Sequence, residues 1–209
     1  MGAASLGGIF GGAVSRASSA KRGIALSCCI LLLVACGGRR RAEPAPLPGE
    51  SGASLGTVPA AAVVELEVAG VQPSDTTVTT PAGVPRTVVV RHGFPDNAVF
   101  AEVRFDSLAF GGGSDVTITV RPLPGLYGVT IETSRAFTGA ELTFHYAVHF
   151  LAPAEARTKH GSNIAFEQTL AIGRLEAEQV AFLTSHRPGT DLLRATISQP
   201  GTYIVGAPR

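Results

Sequence analysis

From Ala60 onward, apolar and polar positions repeat with a period of two. Val64, Leu66 and Val68 alternate with Val63, Glu65 and Glu67, and Val116, Ile118 and Val120 alternate with Asp115, Thr117, Thr119 and Arg121. Val129 and Ile131 follow the same rule with Thr130 and Glu132. The clearest stretch is LTFHYAVHF, in which Leu142, Phe144, Tyr146, Val148 and Phe150 share one face and Thr143, His145, Ala147 and His149 the other. Successive strand side chains point to opposite sides, so this pattern predicts strands buried on one face and wet on the other. RTVVVR (86–91), AVFAEVRF (98–105), IAFEQTLAI (164–172), EQVAFLT (178–184), LLRATIS (192–198) and TYIV (202–205) are further candidates. Turn residues separate them at Gly111-Gly112-Gly113, Pro122 to Gly125, Thr138-Gly139, Pro188-Gly189 and Pro200-Gly201. About ten short strands, each with one polar face, predict an all-β fold, an antiparallel β-sandwich. No helix of ordinary length is expected; APAEARTKHG (152–161) and RLEAEQV (174–180) can each hold a turn or two.

The N-terminal region follows a different pattern. After Arg16, Lys21 and Arg22, the stretch from Gly23 to Ala35 carries no charge. An uncharged run of this kind falls within the roughly 7–15 residues of an export signal's core and short of the ~20 that span a bilayer as a helix. It ends in Leu33-Val34-Ala35-Cys36, which resembles the lipobox of bacterial lipoproteins: an aliphatic residue, small residues and an obligatory Cys. The resemblance implies cleavage between Ala35 and Cys36, diacylation of the Cys36 sulfur and, in many bacteria, acylation of the new N-terminus. One acyl chain binds a membrane only marginally, and two or three give a stable anchor, because each buried CH₂ contributes ~0.8 kcal/mol. Gly37, rather than Asp, follows the cysteine, which by resemblance to enterobacterial sorting implies the outer membrane. An uncleaved anchor and a buried helix are the alternative readings of the run. The segment before Lys21 is long for a signal's basic end, which leaves a translation start downstream of Met1 open.

On this reading the chain divides into a signal peptide (1–35), a lipidated N-terminus with a flexible linker (36–59) and a β-sandwich domain (60–209). Cys28 and Cys29 leave with the signal, and no cysteine follows Cys36. A disulfide framework, a cysteine zinc site and a catalytic thiol are then all excluded. Cleavage leaves 14 basic against 16 acidic residues, a net charge near −2. Arg39, Arg40 and Arg41 beside the anchor either touch anionic headgroups or form a solvated linker end. AEPAPLPGESGASLGTVP, from Ala42 to Pro59, lacks an apolar period and reads as a spacer.

Three segments of the domain resemble the ZU-five type of β-sandwich, found in ankyrins, netrin receptors and bacterial surface proteins. They are DSLAFGGGSDVTITV (106–120), FTGAELTFHYAV (137–148) and ATISQPGTYIV (195–205). The resemblance covers the second half of the chain and implies a scaffold whose relatives mostly bind other proteins. It does not separate a ZU-five sandwich from an immunoglobulin-like one. Some members cut themselves at His-Phe-Ser near the domain's end. Here His149-Phe150 precedes Leu151, and the corresponding end reads Ser198-Gln199-Pro200, so self-cleavage is not implied.

Chemistry-bearing motifs are few. His145 and His149 share a predicted face but stand roughly 13 Å apart at ~3.3 Å per residue. That is too far for one zinc bound at about 2.0–2.1 Å by both. His160 and His186 join either one only through folding. Gly111-Gly112-Gly113-Ser114 is followed by no Lys and by another strand, so it reads as a hairpin turn and not a phosphate cradle. No zinc-protease motif occurs, and Glu132, Glu141 and Glu167 fall at solvent-facing positions. No catalytic residue, no metal site and no cofactor is therefore expected. Residues 60–209 hold 11 basic against 14 acidic residues, which speaks against nucleic acid. The expectation is a membrane-anchored envelope lipoprotein whose sandwich is a protein-interaction or structural module. Its partners would be the bilayer, through acylated Cys36, and an envelope protein, met at an exposed sheet edge or the His145/His149 face. A polysaccharide or peptidoglycan binder is the alternative, weakened by the absence of Trp and by having only Tyr127, Tyr146 and Tyr203, with Tyr146 pointing inward. A hydrolase is the third reading.

Overall fold

The computed structural model describes residues 56–146 and 152–209. The expectations placed on Ala35, Cys36, Cys28, Cys29, Arg39–Arg41, Val148, His149 and Phe150 lie outside the described residues. The described part is an antiparallel all-β sandwich, as the period-two pattern predicts.

The strands are β1 (Thr57–Pro59), β2 (Val63–Glu65), β3 (Thr76–Thr80), β4 (Arg86–Arg91), β5 (Val99–Phe105), β6 (Val116–Pro122), β7 (Gly128–Thr133) and β8 (Ala140–His145). Two short helices follow, α1 (Ala154–His160) and α2 (Asn163–Glu167). Then come β9 (Ala171–Glu176), β10 (Gln179–Phe182), β11 (Ser185–His186), β12 (Leu192–Ile197) and β13 (Gly201–Pro208). One sheet runs β1-β10-β9-β13-β7-β6-β3, with β2 paired to the C-terminal half of β13. The other runs β11-β12-β8-β5-β4.

The alternating residues meet between the sheets. Val88 and Val90 of β4, Val103 and Phe105 of β5, Ile118 and Val120 of β6, and Leu142 and Phe144 of β8 are all buried in one cluster. In β5 two consecutive residues, Phe100 and Ala101, are both buried. The cause is a bulge: Val90 faces Ala101 while Arg91 faces Val99, so Phe100 is the extra residue and turns inward. Its ring stacks on Tyr127 at 5.2 Å and meets Phe144 edge-on at 5.9 Å. Tyr203 donates a 2.6 Å hydrogen bond from its hydroxyl to the Gln199 carbonyl four residues upstream, a corner that fixes the entry into β13.

β13 is buried on both sides. Tyr203, Val205 and Ala207 point into the main core, while Ile204 joins Val63, Ala171, Val180 and Phe182 in a second, smaller cluster. Gly173 of β9 makes that cluster possible, since a Cβ there would stand 2.3 Å from Val180 Cγ1.

Segments that differ from the sequence-based expectation include β3, where no strand was expected, and the following three. IAFEQTLAI begins in α2, whose start is capped by the Ser162 hydroxyl accepting from the Ala165 N–H, and becomes strand only at Ala171. RLEAEQV is the β9–β10 hairpin, joined by Ala177 and Glu178, and not a helical turn. Thr57–Pro59, placed in the linker by composition, pairs with Gln179–Ala181 as β1.

Candidate functional site

The outer face of the five-stranded sheet carries a set of charged and hydroxyl side chains around an open depression. Strand register builds it. Thr87 of β4 faces Arg104 of β5, Arg104 faces Glu141 of β8, and Glu141 faces Thr196 of β12. The neighbouring row runs Val89, Glu102, Thr143, Arg194 and His186. The opposite charges of Arg104 and Glu141 thus sit directly across strands, where pairing favours the register.

Glu141 lies between two guanidinium groups, with Oε2 3.9 Å from Arg104 Nη1 and Oε1 3.7 Å from Arg194 Nη1. Arg194 Nε also donates to the Thr143 hydroxyl at 3.0 Å, which satisfies a side chain that is otherwise buried. Arg104 is 70% exposed, so its pairing is of the wet kind worth under about 1 kcal/mol and is exchangeable for a partner's carboxylate. These groups, with Arg86 and Pro85, line a shallow pocket of about 390 Å³. A second depression of about 340 Å³, lined by Asp106, Gly139 and Thr196, shares Arg104 and Glu141 with it.

His145, the residue singled out in the sequence, closes one end of this face. Its Nε2 stands 3.8 Å from Glu102 Oε1 and is buried without a hydrogen-bond partner. Burial lowers the imidazole's pKa below its usual value, Glu102 pulls it up and Arg194 pushes it down. The ring is therefore kept neutral more readily than a free histidine. His186 lies on the same face, across the β11–β12 pair from Arg194, and His160 packs against Phe166 away from it. Among the described residues no group of three His, Cys, Asp or Glu is placed to hold a metal ion.

β4 bounds the pocket and is an edge strand; among the described residues it pairs only with β5. Its terminal Arg86 and Arg91 are exposed and its valines turn inward or lie half-buried. The opposite face of the molecule is different in kind. There Thr77–Thr119, Thr79–Thr117 and Thr130–Thr202 form cross-strand hydroxyl pairs at 3.0, 3.2 and 3.0 Å, and Arg121 bridges Asp75 and Glu132.

Of the glutamates read as solvent-facing, Glu132 and Glu141 are paired on the two outer faces. Glu167 instead accepts a 2.8 Å hydrogen bond from the Tyr146 hydroxyl at the sandwich end. Tyr146 and Tyr127 are buried, as the inward alternation of Tyr146 predicts, and burial raises both phenol pKa values. The roles of Arg104, Arg194 and Thr143 were not singled out in the sequence; their signal was the polar residue at alternate positions, Glu102 and Arg104 in β5, Glu141 and Thr143 in β8, and Arg194 and Thr196 in β12. Among the described residues no helix is long and apolar enough to cross a membrane. Comparison with known proteins finds no matching family model, no matching curated protein and no matching solved structure.

Proposed function

We propose that this chain is an envelope lipoprotein, held at the outer membrane through acylated Cys36, whose sandwich binds an extended segment of a partner protein. The segment would add to the β4 edge and be read by the ionic face beside it. The observation that carries this reading is the juxtaposition of an edge strand with no outer neighbour among the described residues and a pocket of about 390 Å³ lined by Arg86, Arg104, Arg194, Glu102 and Glu141. Strand addition draws affinity from the backbone and specificity from alternate side chains, and both elements are present here. The pocket's lining has no Tyr or Trp to stack a sugar ring. The ZU-five resemblance, with its protein-binding relatives, agrees with the same reading.

The test is site-resolved photo-crosslinking in cells, with the photoreactive residue at Thr87 or Thr196 on the ionic face and at Thr77 on the threonine face. One discrete adduct from the first two positions, lost when Arg194→Glu is added, is expected. Adducts from Thr77 alone, or retention on isolated sacculi in place of a protein adduct, would overturn the reading. Membrane fractionation with intact mass, comparing the wild type with Cys36→Ala, tests the anchor separately. A soluble wild type starting at Met1 removes it.

A further inference from the structure

The end of the sandwich where the chain enters gathers most of its exposed large apolar side chains. The Gly56 carbonyl accepts from the Phe182 N–H at 2.9 Å, and Phe182 faces Gly173 of β9. β9 starts just after α2, whose last residue, Glu167, accepts from the Tyr146 hydroxyl. The Tyr127 hydroxyl reaches the Tyr146 carbonyl at 3.5 Å, and the Tyr127 ring stacks on Phe100, which meets His92 of the β4–β5 loop edge-on at 5.3 Å. His92 Nδ1 in turn lies 3.0 Å from the Val71 carbonyl. This chain of contacts joins the point of entry, α2, the β4–β5 loop and the β2–β3 loop into one end.

Phe94 is 91% exposed there, Ile164 69% and Val71 43%. The two other large exposed apolar residues among the described ones, Val84 and Leu108, follow the far ends of β3 and β5. Phe94 is presented by a braced loop. Arg91 Nη1 donates to the Asn97 carbonyl at 3.0 Å, the Asn97 N–H donates to the Gly93 carbonyl at 3.3 Å, and Val71 Cγ1 occupies the space a Gly93 side chain would need. Charges at this end are mixed: Arg91, Arg157 and Lys159 stand with Asp96 and Glu155.

We infer that this end rests on a lipid bilayer, with Phe94 at the headgroup boundary and Ile164 and Val71 beside it. The inference rests on the Cys36 anchor. Gly56 lies 20 residues after Cys36. Twenty residues of unstructured chain have a root-mean-square reach of roughly 25 Å, and on the anchor reading that distance sets how far this end, and not the one carrying Leu108, stands from the membrane. Aromatic rings favour the interface between water and lipid. Because the charges are mixed, the contact depends on apolar side chains and survives added salt.

The protein has no Trp, which makes a single introduced one a clean reporter. The full-length chain, as Phe94→Trp or Leu108→Trp, would be purified lipidated and reconstituted into phosphatidylcholine–phosphatidylglycerol vesicles with brominated acyl chains. Emission from Phe94→Trp should shift to the blue and fall roughly twofold or more, and emission from Leu108→Trp should match that of the detergent-free aqueous control. Equal emission and no bromine quenching from both variants, in chains that float with the vesicles and carry acyl mass, would overturn the inference while leaving the anchor intact. Chains without acyl mass that fail to float would overturn both.

Discussion

Replacing Phe100 with Ala tests whether the bulge in β5 is held by ring packing. Phe100 is fully buried and touches three rings: Tyr127 stacked at 5.2 Å, His92 edge-on at 5.3 Å and Phe144 edge-on at 5.9 Å. Removing a buried Phe side chain costs about 3–5 kcal/mol, of which each well-placed aromatic pair accounts for about 0.5–1.5. A loss of about 4 kcal/mol is a large part of the 5–15 kcal/mol typical of a domain. Phe100→Leu keeps most of the volume and loses the ring geometry, so about 1–2 kcal/mol is expected. Urea unfolding of a chain starting at Gly56, followed by far-ultraviolet circular dichroism, reads both. With an m-value of about 2 kcal/mol/M, the Ala variant's midpoint should fall by roughly 2 M and the Leu variant's by less than 1 M. An Ala variant that loses under about 1 kcal/mol at unchanged slope would refute the reasoning, since a bulge residue whose packing is dispensable cannot be what turns the strand.

The remaining predictions concern other links in the fold. The lowered pKa of His145 means that the unfolded chain takes up a proton before the folded one, so its contribution is present above about pH 6.5 and is lost as pH falls below it. His145→Gln should therefore show a smaller fall in melting temperature between pH 7 and pH 5 than the wild type, and an unchanged fall would count against the burial argument. Gly173→Ala forces Val180 to move and should cost about 1–3 kcal/mol in the same urea assay, with no loss pointing to slack in the second core. Ala177 sits at φ 54 in the β9–β10 hairpin, a left-handed conformation that costs a residue with a Cβ roughly 1 kcal/mol. Ala177→Gly should thus stabilise the chain by about 0.5–1 kcal/mol, and a destabilised variant would show that the turn is not strained.

The sequence made the sheets legible wherever one face was apolar and the other polar. RTVVVR matches β4 residue for residue, and the alternation of β6, β7 and β8 placed their core residues correctly. It was silent where that contrast vanished. TTVTT forms β3 at a sheet edge, with Thr80 buried and Val78 half-buried against the core while Thr77 and Thr79 pair by hydroxyl with β6, so one apolar residue marks its inner face and no apolar stripe does. Ile164 and Phe166 have the spacing of a strand and Phe166 and Leu170 that of a helix; the Ser162 cap decides for helix, which buries Phe166 and leaves Ile164 exposed. Ala177 and Glu178 carry no turn signature, because the neighbouring strands impose a turn their residue types disfavour. The ionic face was half visible: His145 was marked by its strand, but which arginines share its side depends on pairing between β5, β8 and β12, which are distant in sequence.

The three residue pairs of β1 with β10 also set how the domain answers to force. A pull transmitted through the residues before Gly56 reaches the sandwich first at Thr57–Pro59, which among the described residues is bonded on one side only. Detaching those three residues yields roughly 10 Å of slack at about 3.4 Å per residue. The next strand in line, β2, is paired to the middle of the sheet along β13 and covers Ile204. β1 is therefore a yielding link, which gives way under load before the sheets that carry the ionic face are strained.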